Sequence, residues 1–122
     1  MLRNEIDQLL INLLGSHPNV TDINITVGRP FQVNSDNVLK PVEINPPIVQ
    51  LTPFQTEIIA LNLLQGNPKL LTNLFRQGSC ECSYQLRGKA RLRINVFQQR
   101  GHFSVIIRQL SAQVPTIKQI TL

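Results

Sequence analysis

Residues 91–108 read RLRINVFQQRGHFSVIIR, and the alternation within them decides the fold. In an extended chain alternate side chains share a face. Leu92, Ile94 and Val96 therefore project one way, and Phe103, Val105 and Ile107 form a matching set beyond Gly101. Register is set by placing such sets on one side, since a slip of one residue turns a whole strand over. Ile94 then opposes Ile107, Val96 opposes Val105, and the chain reverses at Arg100-Gly101. The segment is a β-hairpin with one apolar face.

Its other face is cationic. In the longer stretch RGKARLRINVFQQRG, residues 87–101, Arg87, Lys89, Arg91 and Arg93 recur two apart, which predicts four cations on one side. The hairpin register also sets Arg93 opposite Arg108, with Asn95 close by. Two like charges directly across a ladder destabilise it by some tenths of a kcal/mol, up to about 1. The sign reverses when a phosphate or carboxylate lies between them, because the planar guanidinium fork donates in pairs to such oxygens. Arg100 at the turn would reach an anion brought by another surface. Arg87, Lys89 and Arg91, nearer the edge, read as solvated. A solvated basic face, partnered by Glu43, Glu57 or Glu81, is the plainer reading, and pattern alone does not separate the two.

The whole chain supports a single globular unit. Its 122 residues are 42% hydrophobic, enough for a core in one domain. No apolar run is long enough to span a bilayer, so a membrane-spanning protein is not expected. The start, MLRNEIDQLL, carries acids among its leucines and does not read as a secretory signal; a cytoplasmic location is expected. The net charge of +5 is uneven, since Glu81 is the last acidic residue. Such a patch invites comparison with nucleic-acid binders. Only Phe97, however, falls on the cationic face as a base-stacking platform, so no nucleic-acid partner is expected.

Elsewhere periodicity marks the elements. Residues 2–14 have helical spacing at Leu2, Ile6, Leu9, Leu10, Leu13 and Leu14, stopped by Gly15. TDINITV (21–27) alternates as a half-buried strand, and FQVNSDNVLKPVEI (31–44) reads as two short strands joined by a turn at Asn34 to Asn37. Thr52 and Pro53 open a helix that Gly66 ends, and residues 68–77 form another, closed by Gly78. Strands are expected at 80–86, 89–98 and 102–110. The order αβββααβββ gives an α+β fold: an antiparallel sheet of about six strands with helices packed on one face, a build that PAS-like sheets share. The domain is expected over 1–113, with 114–122 the start of a linker.

Catalytic and metal signatures are sparse. No two glycines have the spacing of a phosphate loop. Ser16, His17 and Asp22 make no recognisable triad. Cys80 and Cys82 would share a strand face, a poor geometry for a mutual disulfide, and with His17 and His102 they match no usual zinc spacing. No metal site and no catalytic residue are expected.

The sequence resembles the N-terminal domain of the type IV pilus retraction ATPases, within the type II/IV secretion ATPase superfamily. Matching stretches are Val20 to Phe31, Leu51-Thr52-Pro53 with Thr56 and Glu57, and Arg91 to Gly101; Arg108, Leu110 and Val114 to Ile117 fall at matching offsets. Asn24 stands where that family carries histidine, and Phe31 replaces its second proline. The resemblance implies a domain preceding a RecA-like motor in a homohexamer that docks on inner-membrane pilus machinery. It implies ATP and Mg2+ as cofactors of the parent protein, with none tightly bound here. Carried over by position, the candidates for phosphate contact are Arg93, Arg100 and Arg108, with Asn95 supporting. This chain by itself is expected not to hydrolyse ATP. The alternative is a free-standing PAS-like domain for ligand sensing, with a cleft under the sheet, or for protein interaction.

Overall fold

A computed structural model describes residues 3–88 and 90–110. Leu2, Lys89 and the expected linker at 114–122 lie outside the described residues, as does the end of the 1–113 domain. Among the described residues the order is α1 (Arg3–Leu14), β1 (Val20–Thr26), β2 (Gln32–Ser35), β3 (Val38–Pro41), α2 (Pro53–Leu63), α3 (Pro68–Gln77), β4 (Ser79–Leu86), β5 (Ala90–Gln99) and β6 (His102–Gln109). This is the expected αβββααβββ arrangement.

Local chemistry explains where the helices begin and end. Thr52 Oγ1 accepts from the Gln55 amide at 3.1 Å, while Gln55 Oε1 accepts from the Thr52 amide at 2.9 Å. This reciprocal cap satisfies two amide donors at the start of α2, and losing its threonine typically costs about 1 kcal/mol. Asn67 caps α3 by accepting from the Lys69 and Leu70 amides, and Gly78, at φ 83°, closes it in the left-handed conformation that glycine adopts most readily.

The six strands form one antiparallel sheet in the order β3-β2-β1-β6-β5-β4. Two tight reversals set its registers. Asp36 and Asn37 both have positive φ, as do Arg100 and Gly101, the conformation whose twist matches that of paired strands. The hairpin β5–β6 pairs Ile94 with Ile107, Val96 with Val105 and Arg93 with Arg108, as its hydrophobic pattern requires.

One face of the sheet is sealed. Ile23, Ile25, Leu92, Ile94, Val96, Val105 and Ile107 are wholly buried, with α1 against β1 and β4, α2 on β6, and α3 on β4 and β5. The opposite face carries Asp22, Asn24, Arg91, Arg93, Asn95, Phe97, Ser104, Ile106 and Arg108, all exposed or half-buried.

The four-cation face is corrected. Arg87, at φ 40°, lies with Gly88 in the turn before Ala90, where β5 begins. A turn residue no longer follows the two-residue alternation, and the Arg87 side chain reaches back to α1. Lys89 lies outside the described residues, so of these four cations Arg91 and Arg93 are the ones placed on the strand face.

Candidate functional site: an arginine pair on the open face of the sheet

Four strands contribute one row across the open face. Ser83 opposes Arg93, Arg93 opposes Arg108, and Arg108 opposes Asp22. The Arg108 Nε donates to Asp22 Oδ1 at 3.1 Å. Arg93 Nε lies 3.9 Å from Glu81 Oε2. Both guanidinium side chains remain in solvent, 53% exposed for Arg93 and 64% for Arg108. Ion pairs at such exposure contribute about 0–1 kcal/mol, so they orient the arginines more than they hold them. Each contact uses Nε, the inner corner of the fork, and leaves the terminal Nη1 and Nη2 outside it.

Glu81 is therefore the carboxylate that the solvated-face reading anticipated, whereas the Asp22 contact was not anticipated. Asn95 sits on the same face, opposite Glu81 and Ile106. Phe97 follows on that face, half-buried between Ser79 and Ser104. Arg100 is elsewhere. It occupies the hairpin turn, seven residues along from Arg93, or about 23 Å at strand spacing. There it borders a depression of about 440 Å³ lined by Thr26, Val27, Gln99, His102 and Ser104. An anion lying between Arg93 and Arg108 would not also reach Arg100.

A second arginine–carboxylate cluster lies at the turn between β4 and β5. Asp7, on the inward side of α1, is 5% exposed at its side chain. Tyr84 Oη donates to its Oδ1. Arg3 Nε stands 3.6 Å from Oδ1 and Arg87 Nε 3.4 Å from Oδ2. Arg3 also lies 4.5 Å above the Tyr84 ring and donates to the Gln85 carbonyl, while Arg87 donates to that of Asn4. Burial first, then the hydrogen bond and charge of Asp7, push the Tyr84 phenol well above its ordinary value. Sequence reasoning missed this cluster. Its available signal was an aspartate at position 7 beside the apolar stripe, four residues after Arg3.

The other expectations fall as follows. Cys80 and Cys82 are free thiols on the inward side of β4. Burial raises both, and Cys82 reaches about 11 with help from the charges of Cys80 and Glu81. The space between sheet and helices is filled by buried side chains. A depression of about 1070 Å³ lies instead between α1 and residues 41–45, lined among others by Leu9, His17, Glu43 and Ile44. No helix among the described residues is long and apolar enough to cross a membrane.

No family model matches the chain. Over 102 residues it is 26% identical to the type IV pilus ATPase PilU of Pseudomonas aeruginosa, covering 84% of this chain and 25% of that protein. The crystal structure of the pilus retraction motor PilT with bound ADP superimposes with a TM-score of 0.77 at 30% identity, over 93% of this chain and 31% of that one. The ATPase DotB of Legionella pneumophila, at 18% identity, shares the fold with a TM-score of 0.70 over all of this chain and 32% of that one. The chain thus spans between a quarter and a third of each of these proteins. In fold, and over most of its length in sequence, it is similar to the N-terminal domain of the type IV pilus ATPases.

Proposed function

We propose that this chain is the nucleotide-coupling and subunit-contact domain of a hexameric pilus retraction ATPase. It sits at the cytoplasmic side of the inner membrane and offers Arg93 and Arg108 to ATP held on the motor domain of a neighbouring subunit. The observation that carries the reading is the placement of two solvent-exposed guanidinium groups directly opposite each other on the sheet face turned away from the described helices. A pair so placed is self-repelling alone and becomes favourable around phosphate oxygens. Arginines supplied across an interface offset charge on a transferring phosphoryl group, and their position couples chemistry to movement between domains.

Roles divide by position. Arg93 and Arg108 address the phosphates, Asn95 supports them from the next position on the same face, and Arg100 serves a separate contact at the hairpin tip. Mg2+ and the phosphate-binding loop belong to the motor domain. The test is to replace Arg108 with alanine in the longer protein that carries the motor. ATP turnover should fall about 10³-fold, on the scale of other arginine fingers, with assembly intact. Unchanged turnover would return the pair to a solvated basic face.

A further inference from the structure

We infer that Asp22 is a built-in competitor for the anion site: its carboxylate occupies Arg108 until a phosphate displaces it. The inference rests on the proposed reading of the arginine pair and adds its regulation.

The two arginines are restrained unequally. Glu81 stands on the edge strand β4, is 56% exposed, and approaches Arg93 only to 3.9 Å. Asp22 stands on an interior strand, paired on one side with Asn34 and on the other with Arg108 itself. Its side chain is 15% exposed and lies 3.1 Å from the Arg108 Nε. The amide oxygen of Asn34 is buried without a hydrogen-bond partner among the described residues. A carboxylate in that setting is short of water and benefits more from a cation than an exposed one does. Arg93 is consequently the free-moving member of the pair, and Arg108 the one that must be released.

An anion bridging both arginines brings negative charge close to the Asp22 carboxylate, and like charges at that range repel. Phosphate and Asp22 therefore compete for one guanidinium, which keeps the pair quiet toward dilute simple anions. A polyphosphate with several charges can displace the carboxylate.

The test uses the 122-residue chain and inorganic tripolyphosphate without metal, titrated while the arginine Nε–Hε signals are followed by NMR. Asp22→Asn should tighten binding about fivefold, the factor set by one exposed ion pair. Glu57→Gln, which removes the same charge from the exposed side of α2, should change affinity less than twofold. In an Arg108→Gln background, Asp22→Asn should bring no gain. Asp22→Ser should tighten binding as Asp22→Asn does, because the charge rather than the shape competes. A gain that survives without Arg108, or one matched by Glu57→Gln, would overturn the competitor. Saturable binding that Asp22→Asn leaves unchanged would overturn it too, while sparing the arginine pair. Absence of binding in both wild type and Asp22→Asn would overturn the pair and the competitor together.

Discussion

Two clusters in this molecule are built from the same parts, arginines set against carboxylates, and differ in what surrounds them. Around Asp7 the carboxylate is buried, a phenol donates to it, and two arginines close over it, each also donating Nη2 to a backbone carbonyl. On the open face the same chemistry is spread along solvent-exposed strands, and each arginine meets its carboxylate through Nε. The first cluster joins α1 to the far end of β4 and serves the fold. The second is tethered loosely and left available. The carboxylates differ more than the arginines do, at 5% exposed for Asp7 against 15% for Asp22 and 56% for Glu81.

This contrast predicts opposite outcomes for equivalent substitutions. The largest effect should come from replacing Arg93 and Arg108 together in the longer motor protein. ATP turnover should drop by at least about 10³-fold, while urea unfolding of this domain shifts by less than ~0.5 kcal/mol. A large loss of stability would erase the distinction between the clusters.

Asp7→Ala should behave the other way. It strands the Tyr84 hydroxyl in the core and leaves two arginines without their anion, costing about 2 kcal/mol in denaturant unfolding. Turnover per folded molecule should be unaffected. Tyr84→Phe should cost less, about 1 kcal/mol.

Tyr84 is the only tyrosine in the sequence, and there is no tryptophan, so ultraviolet absorbance reads its ionisation directly. Its raised value stabilises the native state fully below the unfolded phenol's pKa of about 10, and that contribution is lost as pH climbs through the higher native value. An alkaline titration of folded protein should show the phenol still protonated where urea-unfolded protein has ionised. Coincident titrations would mean that the Asp7 cluster is not closed. The smallest effect belongs to Asp22→Asn, which should change unfolding stability by less than ~0.5 kcal/mol.

Much of the open-face site was legible in the sequence because a hairpin's register follows from hydrophobic alternation and a two-residue turn. Placing Ile94 against Ile107 leaves no freedom for Arg93 and Arg108. The carboxylates that hold them were less legible. Asp22 reaches Arg108 only because β1 pairs with β6, a contact between distant parts of the chain that periodicity does not encode. Arg87 misled for a local reason: a strand pattern was extended through an Arg-Gly pair that turns, at φ 40° and 69°. The Asp7 cluster was hidden by distance, since its partners Tyr84 and Arg87 follow some eighty residues later.

The most direct measurement mixes two inactive forms of the longer motor protein, one carrying Arg93→Ala with Arg108→Ala, the other a disabled phosphate loop. If these arginines act on ATP held by a neighbouring subunit, mixed assemblies contain interfaces where an intact pair faces an intact loop. ATP hydrolysis should then return on mixing. A mixture as inactive as either parent, although shown to co-assemble, would contradict the account.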